Sequence, residues 1–324
     1  MGHLVRCERM KWTVVVGVVL VGMASTVSPQ ARYGGVVEEI LAAWKSADLV
    51  CLGEAHGREY DSELRIALVR HPEFPRTVRM IVVEWGNPVQ QDLLDRFILD
   101  GAVMTREELA PVWRDAQGAE AWESPVYETF LRVLREVNRG LPAQQRVRVL
   151  GGDRKIDWSK ITRAEELVPV VHRGHSIRDI LAEQILDQNV KALAIYGARH
   201  CAKADGGFLS ELASLYGNKR VWSVWPMDSE SEVRKAQTVF GLGQDPEYLA
   251  MTGSRWASTP ATGLGAVDIG LTMGEVTDAI VYHGNVPDSV VPANLSVLRA
   301  KYGAELERRR SLLLEAFKLW ESGG

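Results

Sequence analysis

The sequence predicts an α/β fold with a mostly parallel central sheet flanked by helices, together with a helical cap and a C-terminal helix. Short β-branched runs alternate with amphipathic stretches, an order that is typical of βα units. No Gly/Pro/Ser-rich linker, internal repeat or low-complexity stretch divides the 324 residues, so we expect one domain. The formal net charge of −4 provides no broad basic field, which disfavours a nucleic-acid partner.

The helices are predicted from apolar residues that recur three and four positions apart. After Pro88, for example, Val89, Leu93, Phe97 and Ile98 fall on one helical face. The predicted helices are residues 36–45, 61–70, the stretch that begins at 88, 125–138, 177–185 and 208–216. A charged C-terminal helix carries the apolar stripe Leu295, Leu298, Tyr302, Leu306 and Leu313.

The strands are predicted from short β-branched runs between these helices. They cover residues 48–52, 78–83, 147–150, 192–196, 220–225 and 278–282. Residues 105–122 are polar with a helical tendency, so we expect them to form a cap or lid. Residues 241–274 are rich in Gly, Ser and Thr, and we interpret them as a long surface excursion.

The N-terminus has the order of a secretory signal peptide. Arg6, Arg9 and Lys11 precede an apolar run at 12–23, which is followed by small and polar residues at 24–28. The run is shorter than the roughly 20 residues that span a bilayer, so cleavage is expected and an uncleaved anchor is the alternative. We therefore predict a leader at 1–31, an exported α/β domain at 32–324 in the periplasm or outside the cell, and membrane contact only through an uncleaved leader.

Two cysteines, Cys51 and Cys201, remain in the predicted mature chain, and each lies beside a candidate site motif. They could pair, but the sequence does not establish that they are close. The interpretation that the sequence favours is two small buried thiols.

Most of the predicted strands end at ionisable side chains. In open α/β sheets, ligands bind outside the carboxyl ends of the strands, so these residues are expected to share one crevice. Two imidazoles and a carboxylate are a recurring site composition, which singles out His56, Glu84 and His200. We interpret His283 as a structural histidine. In chain order, the residues at strand ends are Glu54, His56, Glu84, Asp153, Arg199, His200 and His283.

Two Gly-x-x-His motifs, at 53–56 and 197–200, with Glu84 ending a strand between them, resemble a known superfamily. It joins the ChaN-like haem-binding uptake proteins, the TIKI and TraB proteins, and the erythromycin esterases. Residues 90–97, Tyr127 and residues 178–182 are most similar to the ChaN-like branch, and the resemblance covers about 47–225. It implies that His56, Glu84 and His200 form the site with Glu54 beside them. Only two residues separate Gly53 from His56, where the esterases usually have three.

The resemblance implies two kinds of function. TIKI-like members are described as metal-dependent proteases, and the esterases use a histidine to activate water. A metal-assisted hydrolase of ester or amide bonds would bind Mn²⁺, Co²⁺ or Zn²⁺ through His56, His200 and a carboxylate. Either Glu84 or Glu54 would complete the metal site, and the other would act as general base. Without metal, His56 would be the base and Glu84 its orienting partner, while Arg199 would stabilise an oxyanion.

The alternative function is non-covalent haem binding in iron uptake, across a homodimer interface and without catalysis. Candidate contacts for the cofactor are Tyr127, Tyr196 and Asp153 together with the histidines. The sequence contains no Cys-x-x-Cys-His motif for covalent haem attachment. The expected partner is a small-molecule or peptide substrate in the hydrolase hypothesis and haem in the other.

Overall fold

The computed structural model describes residues 28–171, 173–204, 207–263, 270–285 and 287–322. Most of the predicted leader lies outside the described residues. The first helix, α1, begins at Pro29, before the predicted start of the domain at residue 32.

One seven-stranded sheet organises the described residues, and its strand order is β3-β2-β4-β1-β5-β7-β6. All neighbouring strands pair in parallel except β6, which is antiparallel to β7 at the sheet edge. The predicted α/β class with a mostly parallel sheet is therefore confirmed. The strands are β1 (Leu49–Glu54), β2 (Met80–Val83), β3 (Arg148–Gly151), β4 (Ala192–Gly197), β5 (Val221–Met227), β6 (Glu247–Ala250) and β7 (Ala279–Tyr282).

The helices connect the strands and cover both faces of the sheet. Those in the first half are α1 (Pro29–Ala43), α2 (Glu59–Arg70), α3 (Phe74–Thr77), α4 (Gln91–Ile98), α5 (Arg106–Leu109), α6 (Pro111–Arg114), α7 (Ala119–Trp122) and α8 (Pro125–Arg139). Those in the second half are α9 (Arg173–Leu181), α10 (Ala198–Cys201), α11 (Phe208–Tyr216), α12 (Glu230–Thr238), α13 (Met273–Val276) and α14 (Leu295–Glu321). The three short helices α5, α6 and α7 form the predicted cap, and α14 is the predicted C-terminal helix.

The two faces of the sheet have separate hydrophobic cores because strand side chains alternate in direction. In β1, Val50 and Leu52 pack into the core beneath α1, α2 and α8, whereas Leu49 and Cys51 pack on the other face with α9 and α11. Every residue of β1 is buried. Because β1 is buried on both faces, it can present side chains to a site only at its carboxyl end, where Glu54 lies.

Two sequence interpretations are wrong. Residues 241–274 are not only a surface excursion, because they include β6, and Met251 and Ala261 are buried in a third core. Cys51 and Cys201 are not free thiols but form a disulfide. The bond joins the middle of β1 to the last residue of α10, directly after His200. No helix among the described residues combines the length and apolarity needed to cross a bilayer.

Candidate active site

The sheet pairing brings the two Gly-x-x-His motifs together. β1 lies beside β4 with Glu54 opposite Gly197, and β2 lies on the other side of β4 with Val83 opposite Ile195. Because these strands are parallel, their carboxyl ends meet at one edge. The side chains that follow the strands therefore point into a common crevice.

Glycines allow this close approach. A Cβ at Gly197 would lie 3.1 Å from His56 Cε1 and 3.5 Å from both His56 Nε2 and Glu84 Oε2. A Cβ at Gly53 would lie 2.9 Å from the Cα of Ala198. His56 Nε2 and Glu84 Oε2 thus both lie next to the α-carbon of Gly197, where a side chain would separate them.

Glu54 holds the His56 ring. Its Oε1 lies 3.0 Å from His56 Nδ1 and accepts a hydrogen bond of 3.0 Å from the Tyr127 hydroxyl. Its Oε2 forms an ion pair with the buried guanidinium of Arg65. Tyr127 also accepts a hydrogen bond of 2.9 Å from the Gly57 backbone, which fixes the turn after His56. Glu54 is therefore an anchored carboxylate that directs His56 Nε2 toward the crevice.

Burial changes the acidity of the groups that surround Glu54. Burial lowers the pKa of Arg65 to about 10, so its guanidinium still carries a positive charge at neutral pH. Burial raises the pKa of Tyr127, which therefore remains a neutral phenol and a hydrogen-bond donor. The Glu54 carboxylate therefore contacts one cationic group and one neutral donor.

The cap contributes an aromatic wall to the crevice. Trp122, the last residue of α7, packs edge-to-face on the His56 ring with 4.4 Å between centroids, and it also contacts Tyr127 at 5.2 Å. Trp85 packs against Tyr127 at 4.7 Å beneath it. The predicted cap therefore contacts the site directly, and its position controls the surroundings of His56.

Glu84 and His200 form a second acid–imidazole pair. Glu84 is fully buried, and its Oε2 accepts a hydrogen bond of 2.5 Å from the Gly197 backbone while its Oε1 lies 3.5 Å from His200 Nε2. The His200 ring stacks on Phe208 at 5.9 Å. Glu84 thus lies close to His200, and Glu54 contacts His56 at Nδ1. The role of Glu84 as an orienting partner of His56 stays a prediction.

The other predicted residues lie around these two acid–imidazole pairs, and the Tyr196 ring packs edge-on to the His200 ring with 6.4 Å between centroids. Arg199 is exposed, and its guanidinium makes no hydrogen bond or ion pair with any residue that the structure describes. Tyr196 is buried and donates a hydrogen bond of 2.9 Å to the Gly152 carbonyl. Asp153 is buried beneath the cap and accepts a hydrogen bond of 2.5 Å from Gln117. Tyr127 is also buried, so neither tyrosine is presented to an external ligand.

Sequence reasoning missed a second cluster at the same sheet edge. Asp61, His283 and Asp288 are buried, and one ligand atom from each lies within 4.8 Å of the others. His283 directly follows β7, so it belongs to the ionisable residues at strand ends that the sequence analysis named. Asp61 and Asp288 carry no comparable signal, since one lies in the first turn of α2 and the other in a loop.

The spacing of the donor atoms distinguishes the two groups of residues. Within the described part of the chain, only Asp61, His283 and Asp288 bring three such ligand atoms within 4.8 Å of one another. His56, Glu84 and His200 offer suitable donors for a divalent ion but do not meet that spacing. The assignment of His56, Glu84 and His200 as metal ligands stays a prediction.

The sequence matches no protein-family model and no curated protein. By structure it is similar to a variant of the erythromycin esterase EreC in its open conformation, with a TM-score of 0.57, 12% identity, and coverage of 82% of this chain and 97% of the esterase. A protein from Bacillus cereus gives a TM-score of 0.56 at 15% identity and coverage of 82% and 95%. The haem-binding ChaN of Campylobacter jejuni gives 0.43 at 12% identity and coverage of 77% and 91%.

These similarities define the class of fold. The chain shares its fold with the esterase EreC and with the Bacillus cereus protein. At identities this low the similarity extends to the fold alone, so the chemistry must be argued from the side chains.

Proposed function

We propose that this protein is a hydrolase of ester or amide bonds in which His56 activates a water molecule. The observation that carries the proposal is the Glu54–His56 pair, with 3.0 Å between Glu54 Oε1 and His56 Nδ1 and with Nε2 facing the crevice beside Gly197. A carboxylate on Nδ1 keeps the proton on that nitrogen and leaves the lone pair of Nε2 available as a general base. The substrate is a small molecule or a peptide.

The proton transfers follow from this arrangement. His56 Nε2 takes a proton from water as the oxygen attacks the scissile carbonyl, and the Glu54 carboxylate stabilises the imidazolium that forms. His200, across the crevice beside Glu84, is the group that protonates the leaving oxygen or nitrogen. Arg199 is exposed at the same edge and is proposed to approach the developing oxyanion once substrate is bound.

Haem binding is the weaker alternative. The candidate ligand Tyr127 is committed to Glu54 and Gly57, and Tyr196 is committed to Gly152. Ligation by either phenol would require a buried hydrogen bond to break. The two candidate imidazoles, His56 and His200, each lie next to a carboxylate, an arrangement that suits proton transfer.

Export is part of the proposal. The order of residues in the leader supports it, and so does the Cys51–Cys201 disulfide, since such bonds persist mainly in oxidising compartments. We propose that the mature domain acts in the periplasm or outside the cell.

The test is hydrolysis of a panel of nitrophenyl esters and chromogenic peptide amides by the purified mature chain. His56→Ala should lower kcat by about 10²- to 10⁴-fold, the usual contribution of a general base. Glu54→Gln, which keeps the shape and removes the charge, should lower kcat more than it raises KM. A matched control is His71→Ala at the end of α2, which should retain activity. Unchanged turnover in His56→Ala, or no turnover of any substrate by the wild type, would reject the proposal.

A further inference from the structure

A buried group of acidic residues and a histidine lies next to the proposed active site. Asp61, His283 and Asp288, here called the Asp61 cluster, are exposed by only 3%, 1% and 3%. They come from the first turn of α2, the end of β7 and the loop after it. Their ligand atoms all lie within 4.8 Å of one another.

The cluster lies within a larger excess of buried negative charge. Asp228, after β5, and Glu232 in α12 are also buried, and both act electrostatically on Asp61 or on each other. Arg58 is the cation that opposes them. Burying unbalanced carboxylates is costly unless a proton or a cation neutralises them.

Asp228 adds to this buried negative charge, because it is exposed by only 6%. The side chain set against it is another acid, Glu232, whose oxygens already accept bonds from Trp225 and Ser229. Arg58 opposes the charge of Asp228, and Glu232 can share a proton with it.

The acidities agree with this account. Burial raises the pKa of Asp228 to about 9, and burial together with Asp288 raises the pKa of Asp61 as well. A divalent ion would stabilise the charged form of both carboxylates.

The histidine is prepared as a ligand. Burial lowers the pKa of His283 to about 4, so its ring is neutral at pH 7. Its Nε2 lies 2.9 Å from Asp61 Oδ1, a hydrogen-bonding distance from which both atoms could reach one ion. Its Nδ1 lies 3.0 Å from the Tyr33 hydroxyl, a contact that fixes the tautomer as in known metal sites.

We propose that Asp61, His283 and Asp288 bind a divalent first-row transition ion such as Mn²⁺ or Zn²⁺, with Asp228 neutralised beside it. One imidazole among carboxylates suits these ions better than Mg²⁺ or Ca²⁺. All three side chains are buried, so we assign the ion a structural role. Asp61 Oδ2 accepts a hydrogen bond of 3.0 Å from the Ala55 backbone, so the ion would fix the turn that carries His56. This inference goes beyond the proposed hydrolase.

Metal content tests the proposal independently of any substrate. Mature protein is prepared without chelator, dialysed against Mn²⁺ or Zn²⁺ and then against ion-free buffer, and analysed by mass spectrometry. We expect about one ion per chain in the wild type and a loss of at least 10-fold in His283→Gln and Asp288→Asn. The matched controls His56→Ala and His200→Ala should retain the ion.

Anomalous scattering from wild-type crystals soaked in the same ions covers the case in which the variants fail to fold. A peak between Asp61 and His283 is the expected result. The proposal is overturned if wild-type protein retains neither ion, or if the ion is lost in His56→Ala and kept in His283→Gln. Hydrolysis is not measured here, so a failure of the hydrolase proposal would leave this result unaffected.

Discussion

Glycine at position 197 leaves room for the His56 ring, and an added methyl group would remove that room. The Cβ of an alanine there would approach His56 Cε1 to 3.1 Å and lie 3.5 Å from Glu84 Oε2. Gly197 has φ −49°, which alanine adopts without strain, so the backbone should be unaffected.

We therefore predict that Gly197→Ala keeps its melting temperature within a few degrees and lowers kcat about 10-fold or more by displacing the proposed base. Circular dichroism and ester hydrolysis measured on the same preparation check both halves. Gly34→Ala, where nothing lies within 4 Å of the new Cβ, is the matched control. Full activity in Gly197→Ala would show that the His56 ring tolerates the shift.

Tyr127 connects the acid to the turn after His56. We predict that Tyr127→Phe destabilises the fold by about 1–3 kcal/mol, because the buried Gly57 N–H loses its acceptor. The same change removes a donor from Glu54, so the pH profile of hydrolysis should shift as well. Urea unfolding and the pH dependence of kcat are the measurements. A loss of stability with an unchanged pH profile would limit Tyr127 to a structural role.

The residues at the strand ends could be predicted from the sequence, but the residues that hold them in place could not. Glu54, His56, Glu84 and His200 each follow an apolar run, and that pattern is visible without a structure. Arg65 was missed because it lies within α2, where an arginine is typical of an exposed helix face. Its burial against Glu54 depends on packing between distant segments, which one sequence does not contain.

At the scale of elements, the disulfide ties the strand that leads to Glu54 to the short helix that carries His200. We predict that Cys51→Ala with Cys201→Ala lowers the free energy of unfolding by about 2–4 kcal/mol, the usual loss for a native disulfide. The kcat of the folded double variant should also fall, because without the disulfide only the four residues of α10 hold His200 in place. Urea unfolding and kcat measured below the transition provide the comparison. A wild-type kcat in the double variant would show that the disulfide does not position His200.

The cap is held by arginine–glutamate pairs. Arg114 bonds to Glu107 and Glu123, and Arg106 bonds to Glu123 and Glu128. Hydrogen bonds from Arg114 lower the pKa of Glu107 to about 2. Burial alone would raise the pKa of Glu123, but Arg114 and Arg106 lower it overall.

A folded pKa below the unfolded value means that the stabilisation is complete above about pH 4.5 and is lost as pH falls through the folded pKa near 2. We predict that hydrogen exchange in residues 105–123, corrected for the intrinsic rate, accelerates between pH 5 and pH 2.5 more than in β1. In Arg114→Gln the difference should shrink. Equal acceleration in cap and sheet would contradict a local effect.

The edge strand β6 shows why some elements could not be predicted. It has four residues, all exposed or half-buried, and it follows a stretch rich in Gly and Ser. β6 forms because it pairs with β7, and its sequence has no alternation of apolar and polar residues that would predict a strand. Backbone pairing between distant segments leaves no local pattern of that kind.

At the scale of the molecule, the class of fold was predictable and the order of its strands was not. The alternation of βα units indicates a parallel sheet, but whether β1 lies beside β2 or β4 is decided by nonlocal packing. The convergence of the two Gly-x-x-His motifs depends on that order.

We predict that the full chain, expressed in a Gram-negative host, is recovered from the periplasm without its leader. Mass spectrometry of the N-terminus would locate the cleavage near residue 31, and the leader-free chain should stay in the cytoplasm. Recovery of the full chain with its first residues intact in the membrane fraction would favour the uncleaved anchor.

The central position of β1 has a consequence for how the chain acquires its structure. Both neighbours of β1 are translated late: Leu49 pairs with Ala192 on one side and with Val221 on the other. A strand that is apolar on both faces must therefore stay unpaired while nearly half of the polypeptide leaves the ribosome. We expect slow, all-or-none collapse, a need for chaperones during synthesis, and no autonomously stable fragment that ends before β4.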